Sequence, residues 1–371
     1  MDDGKVRGRG QNTESEEAWF RNKVYWLSFL FSLLVVWAHA LNGELFAKRE
    51  EELAMVQRLE HLAAGQLAQI AVPGFFMISS YLFYRNFRSD KLMEKWRSRL
   101  RTILIPYLLW NALYYAAYAA VTRIPVIRQF IGKPPVLLTV GAFMEALLHY
   151  GCNPVFWYLF QLILLILLAP VLYFILKRAA GGVLFLLLLI LCLWKGRSLP
   201  LLNLDALFYY SVAAFLALTR ERLGNPLEHR PPKDLKERLK HIFCQSLLLA
   251  VSFLLLRLSG LPDAPLHDHS LHTVLTRLWG VCMAVGLIRM IPLPPAADLI
   301  KNSFFLYAVH FPWVRFINKS AALILPQTPA SALAVFALMP LFIVLITWFI
   351  SNLMKEILPG TYYILSGGRG R

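Results

Sequence analysis

This sequence is short of charge, and shorter of acid than of base. Only 16% of its 371 residues are charged, and 22 Asp and Glu stand against 38 Lys and Arg. A soluble globular domain carries about a quarter charged residues, so a soluble enzyme is excluded. Cysteine is also scarce. The four present, Cys152, Cys192, Cys244 and Cys282, lie scattered in or beside apolar segments. Without paired spacing they offer neither a disulfide framework nor a metal site. No Gly-x-Ser-x-Gly elbow is present, nor an internal repeat of fixed period or a low-complexity block.

What remains is hydrocarbon. Hydrophobic residues make up 58% of the chain, and apolar stretches of about 18 or more uncharged residues recur, each able to cross roughly 30 Å at 1.5 Å per residue. Without water to satisfy the backbone, such spans must be helices. The expected fold is an all-α polytopic membrane bundle of about ten transmembrane helices. The spans are expected at 24–46, 64–84, 102–122, 154–176, 181–194, 205–219, 242–257, 274–290, 303–317 and 332–353. Those at 181–194, 205–219 and 303–317 are short, and 274–290 carries Arg277, so these four need the shelter of neighbouring helices. Residues 1–18 read as a disordered polar tail, 19–358 as the transmembrane domain and 359–371 as a cytoplasmic tail.

The net charge of +16 invites a nucleic-acid partner. The basic residues instead fill short loops between apolar segments, which the positive-inside rule explains more simply. Most of them fall on one side if both termini are cytoplasmic, so the lipid bilayer is the expected partner, with no nucleic acid. The segment 136–150 holds Glu145 and is too short to span comfortably. It is expected as an interfacial or re-entrant helix on the outer side.

Two constellations carry possible chemistry. The first is His39, near the end of the apolar run "SFLFSLLVVWAHALNGE". Ala38-His39-Ala40 superficially fits a cleaved signal peptide, and a buried histidine can simply be a satisfied bundle residue. Helical spacing, however, aligns His39 with Val35, Ser32 and Ser28 behind it and Asn42 ahead. A polar stripe on an apolar helix should face the bundle interior, and an ionisable residue at membrane depth is a functional candidate. Imidazole is also suited to proton transfer near neutral pH. From Lys23 to His39 is roughly 24 Å of rise, which puts His39 toward the outer face. The second constellation is Arg97, Arg99 and Arg101 at the cytoplasmic edge of the span at 102–122. Guanidinium forks match phosphate oxygens, although lipid-headgroup anchoring explains charge there equally well.

Several stretches in order resemble the integral-membrane acyltransferase family 3. They are "LLVVWAHALN", "VPGFFMISSYLFYRNF", "WRSRLRTILIPYLLWN", "NPVFWYLFQLILLILLAP" and "SFFLYAVHFPW". The resemblance implies an acyl-CoA donor on the cytoplasmic side, transfer to a hydroxyl of a sugar, glycolipid or polysaccharide at the outer face, and a ten-helix core. It makes His39 the essential first-helix histidine and places Arg97, Arg99 and Arg101 on the donor. Acetyl is the expected group, with no resident cofactor and no metal, and the location would be a bacterial cytoplasmic membrane. The sequence departs from the family at Ser28, where a basic residue is usual and for which Arg21 or Lys23 could substitute. It departs again at Ser79-Ser80, where the family has Ser-Gly.

His39 would act as general base on the acceptor hydroxyl or become transiently acylated; the first is favoured. His310, before Phe311-Pro312, could line the donor path or merely cap a Pro-kinked helix. Asn153, Trp157 and Tyr158 could line the acceptor cavity or form part of the interfacial aromatic belt. "HDHSLH" (267–272) superficially resembles a metal tract but lacks a second cluster. The reading from another class is a transporter or flippase of a glycolipid or polysaccharide precursor, with His39 as a proton relay.

Overall fold

The computed structural model describes residues 3–220, 222, 228, 234–237, 239–240, 243–244, 246–247, 250 and 269–368, with side chains from Glu14 onward. The expected span at 242–257 therefore lies outside the described residues apart from isolated positions, as do His267 and Asp268. All regular structure among the described residues is helical.

In chain order α1 is Asp3–His39, α2 Gly43–Phe46, α3 Glu50–Glu60 and α4 Ala71–Tyr84. A π segment (His61–Leu67) and a 3₁₀ turn (Ala68–Ile70) join α3 to α4 without a break. α5 (Leu92–Arg99) passes through a second π segment (Leu100–Leu104) into α6 (Ile105–Val121). Then come α7 (Pro125–Ile131), α8 (Val140–Leu148), α9 (Trp157–Leu167), α10 (Ala169–Leu176), α11 (Ala179–Trp194) and α12 (Leu204–Thr219). Beyond the undescribed stretch lie α13 (Leu271–Met290), α14 (Asp298–Lys301), α15 (Ser303–Ile324), α16 (Pro329–Ile357) and α17 (Pro359–Leu365).

Two sequence expectations change. Helix begins at Asp3, through the segment that composition assigned to a disordered tail; no proline interrupts it before Pro73. α1 ends at His39, so Asn42 stands just before the separate α2 and does not extend the polar stripe along the same helix. Among the described residues, four helical stretches are long and apolar enough to cross a membrane: Glu50–Tyr84, Ser89–Val121, Leu271–Met290 and Pro329–Ile357. Pro154–Leu167 with Ala169–Leu176 makes a fifth if the pair is one span. α12, with sixteen residues, rises about 24 Å against a 30 Å core. α8 has only nine residues, about 14 Å of rise, and cannot cross.

The chain forms two compact units, residues 1–34, 65–87 and 171–303, and residues 35–64, 88–170 and 304–371. In the first, α4 packs along α12. Small residues permit this closeness: a Cβ on Gly74 would sit 2.1 Å from the Phe31 ring, and one on Gly182 2.3 Å from Phe215. Ser80, standing where the resemblance expects glycine, is buried and donates its hydroxyl to the Tyr210 carbonyl of α12 at 2.6 Å. The altered contact is thus filled by a hydrogen bond. Asn22 donates to Pro294 O at 3.0 Å and accepts from Ala296 N at 2.7 Å, and Trp26 reaches Pro294 O at 2.9 Å.

The second unit holds α6 against α8 and α16 against α2, α3 and α17. Two prolines stand inside its helices, and each lacks the N–H that would bond the carbonyl four residues back. Both carbonyls find aromatic donors. Pro312 frees Ala308 O, which accepts from the Tyr114 hydroxyl at 2.8 Å. Pro340 frees Phe336 O, which accepts from Trp37 Nε1 at 3.2 Å. In hydrocarbon an unmet carbonyl costs several kcal/mol, so these bonds let both helices run through their prolines.

Candidate functional site

His39 is the last residue of α1, and the turn beyond it is clamped. Asn318 on α15 donates to Ala40 O at 3.1 Å and Leu41 O at 3.4 Å, covering carbonyls that the helix end leaves open. The same Asn318 accepts from Asn42 Nδ2 at 3.3 Å. From the other side Glu60 on α3 accepts from the Asn42 and Gly43 backbone N–H groups at 2.8 and 3.4 Å. Asn42, Glu60 and Asn318 are all buried. His39 itself is exposed, and no ring hydrogen bond to it occurs among the described residues. An imidazole on a fixed stem with free nitrogens is what proton abstraction requires.

His310 and Phe311 of α15 stand beside it, on a face where Tyr307, Arg315 and Asn318 recur at helical spacing. The His39 and His310 rings lie 5.4 Å apart centre to centre, and Phe311 meets His39 edge-on at 5.3 Å. His310 is fully buried. Its Nδ1 lies 2.6 Å from Tyr307 O and carries the proton that it donates there. Nε2 is then a lone-pair acceptor, buried without a partner among the described residues. His310 thus both braces the helix before Pro312 and stands against His39.

An aromatic run leads away from His310. Tyr307 stacks on Phe156 at 5.8 Å, Phe156 on Tyr107 at 6.0 Å, and Tyr158 meets Tyr307 edge-on at 5.9 Å. The Tyr307 hydroxyl donates to Val155 O. Tyr107 and Asn111 donate to Leu148 O and Leu147 O at 2.7 and 3.2 Å, tying the end of α8 to α6. Asn153 begins the turn into α9, fully buried, with both amide atoms unpartnered among the described residues. Trp157 is half-buried at the start of α9. Asn153 and Tyr158 are therefore interior residues rather than an interfacial belt.

The remaining sequence candidates stand elsewhere. Arg97 and Arg101 are exposed and Arg99 half-buried, around the π segment between α5 and α6. Ser28 and Ser32 belong to the first unit, where Ser32 Oγ lies 3.0 Å from Ser28 O and 3.3 Å from Ser303 O. Of the two basic residues that could replace the one missing at Ser28, Lys23 is buried and donates to Ile291 O, while Arg21 is exposed. In "HDHSLH", His269 Nδ1 contacts Asp205 Oδ2 at 3.0 Å and His272 Nε2 contacts Thr276 Oγ1 at 3.2 Å. No group of three metal-ligating side chains occurs among the described residues. Sequence reasoning missed Glu60, Tyr307 and Asn318. For Asn318 the signal was there: it lies two turns beyond His310, on the face of α15 that holds Tyr307 and Phe311.

These features define a helical integral-membrane protein with an accessible histidine held beside a second, buried one. Residues 24–351 match the family model described as an acyltransferase domain, and the chain belongs to that family. No curated protein and no solved structure matches it.

Proposed function

We propose that the protein moves an acyl group, acetyl in the simplest case, from cytoplasmic acyl-CoA to a hydroxyl of a sugar, glycolipid or polysaccharide at the outer face of a bacterial cytoplasmic membrane. About ten helices cross that membrane, with both termini inside. The observation that carries the reading is the clamped, exposed and hydrogen-bond-free imidazole of His39 in a chain of this family.

His39 takes the proton of the acceptor hydroxyl as the oxygen attacks the thioester carbonyl. The C–S bond breaks, coenzyme A leaves as thiolate, and the imidazolium returns the proton to it. His310, with Nδ1 tied to Tyr307 O, sets the rotamer space open to His39, and Asn153, Trp157 and Tyr158 line the acceptor side. Arg97, Arg99 and Arg101 hold the coenzyme A phosphates as charge-assisted forks. Family membership favours this reading over a transporter.

Purified protein in nanodiscs, given labelled acetyl-CoA and pooled membrane glycolipids, tests it. His39→Ala should lower transfer by about 10²-fold or more, the contribution of a general base, while coenzyme A binding persists. Equal transfer by both proteins would overturn the role of His39.

A further inference from the structure

A groove of about 740 Å³ opens in the second unit between α6, α7 and α15, large enough for a substantial ligand. Its walls are almost wholly hydrocarbon: Leu113, Val121, Ile127 and Phe130 among them, with Trp110 and Trp313. Only two charges line it, Arg315 and Lys319, both cationic, and no carboxylate is among its lining residues. Lys133 adds a third cation, its ammonium 4.8 Å from the ring centre of Tyr118, which also lines the groove. Arg128 is exposed on α7, whose C-terminus Lys319 holds through Phe130 O and Ile131 O at 2.7 and 2.8 Å.

The sign and place of this charge need explaining. With both termini inside, α7 and the end of α15 face outward, the side where the positive-inside rule places few basic residues. Anchoring to cytoplasmic anionic lipid cannot account for them either. A groove that is apolar along its length and cationic at its rim matches one kind of molecule, a hydrocarbon chain bearing an anionic head. The rim also borders the proposed reacting centre: the Arg315 guanidinium lies 5.7 Å from the Phe311 ring centre, and that ring meets His39 at 5.3 Å.

We infer that the groove binds the hydrocarbon chain of a phosphate-bearing lipid, with its phosphate at Arg315, Lys319 and Lys133, and that this lipid carries the hydroxyl presented to His39. The inference rests on the acyltransferase reading and narrows its acceptor to a lipid-linked phosphate. Guanidinium at Arg315 supplies bidentate phosphate geometry, and the groove positions the chain so that the head lies beside Phe311.

Photolabelling of the full-length protein in nanodiscs tests this without requiring turnover. The probes are a diazirine-bearing phosphatidic acid and the matching phosphatidylcholine at equal mole fraction, with labelled sites mapped by mass spectrometry. Phosphatidic acid should label residues 110–131 and 312–319 several-fold more than phosphatidylcholine does. Arg315→Gln should cut that labelling about fivefold, the worth of one charge near the surface. Leu113→Trp, which fills the groove and spares the rim, should cut it as well. Inorganic phosphate at millimolar concentration should not compete.

Equal labelling by the two lipids, or labelling untouched by both variants, overturns the inference. Competition by inorganic phosphate would make the rim an anion site without a lipid chain and overturn it too. Labelling elsewhere on the protein, unchanged in both variants, guards against misfolding. His39→Ala separates the two readings. If the groove labels as expected but no transfer depends on His39, lipid binding stands, and the acyltransferase mechanism and the lipid's role as acceptor both fall. His39-dependent transfer without groove labelling gives the reverse.

Discussion

Glu228 shows how much one acid can hold in a chain with few of them. Its Oε1 accepts from the Tyr81 hydroxyl at 2.8 Å and from Arg220 at 3.0 Å, and its Oε2 accepts from Arg85 at 3.0 Å. Arg85 also pairs with Glu17 on α1, and Arg220 reaches Asn86 at 2.8 Å. Burial alone would raise the carboxyl pKa. The tyrosine hydrogen bond and the two guanidiniums outweigh it and hold the group below its ordinary 4.5. A folded value below the unfolded one gives stability that is complete above the unfolded pKa and is lost as pH falls through the folded value. The wild type should therefore lose melting temperature on acidification below about pH 4.5. Glu228→Gln should melt lower at pH 7, by the equivalent of about 1–3 kcal/mol, and show a flatter acid limb. Parallel acid limbs would remove Glu228 from the pH response. The two mid-helix prolines make the same point about single residues: each is tolerated because one aromatic donor, Tyr114 or Trp37, meets the carbonyl it frees.

At the scale of the element, α1, α4 and α12 are set by what is small. Gly74 lets the Phe31 ring of α1 lie against α4 with no room for a methyl. Gly74→Ala should destabilise the protein by about 1–3 kcal/mol, and Phe31→Leu in the same chain should recover part of it, both read as melting temperature in detergent. A Gly74→Ala protein that melts with the wild type would contradict the packing. Helix identity was legible in the long apolar runs, and so was the brevity of the segment around α8. The ends of α1 and the π segments were not. The apolar pattern continues through Ala40 and Leu41 to Asn42-Gly43, so it does not place the end at His39; there Asn318 and Glu60 bond the carbonyls and N–H groups of the turn. The π segment at Leu100–Leu104 likewise shifts the register that an uninterrupted α-helix would give Arg101 relative to Arg97.

At the scale of the whole molecule, the proposed orientation places α2 outside and the α4–α5 connection inside. In a chain whose four cysteines are replaced, a cysteine at the exposed Glu44 should react with an impermeant thiol reagent added to intact cells. One at the exposed Ser89 should react only after the membrane is opened. The reverse pattern would invert the topology and remove the argument that Lys133, Arg315 and Lys319 lie on the side opposite the basic loops. Asn42 cannot serve as the reporter, because Asn318 and Glu60 bury it.

The sequence by itself determined the solvent and the class. Scarce charge and long apolar runs demand a membrane, a membrane demands helices, and one imidazole in such a run marks His39. These result from transfer energies and backbone hydrogen bonding, which act residue by residue along the chain. Which side chains meet His39 was decided only by the tertiary structure. His310 and Phe311, which meet it, and Glu60 and Asn318, which clamp the turn beyond it, come from other helices, and a helix's apolar periodicity states which face is buried but not which partner buries it. The groove beside Arg315 is of the same kind, because a cavity is made by the elements around it and no one of them carries it alone.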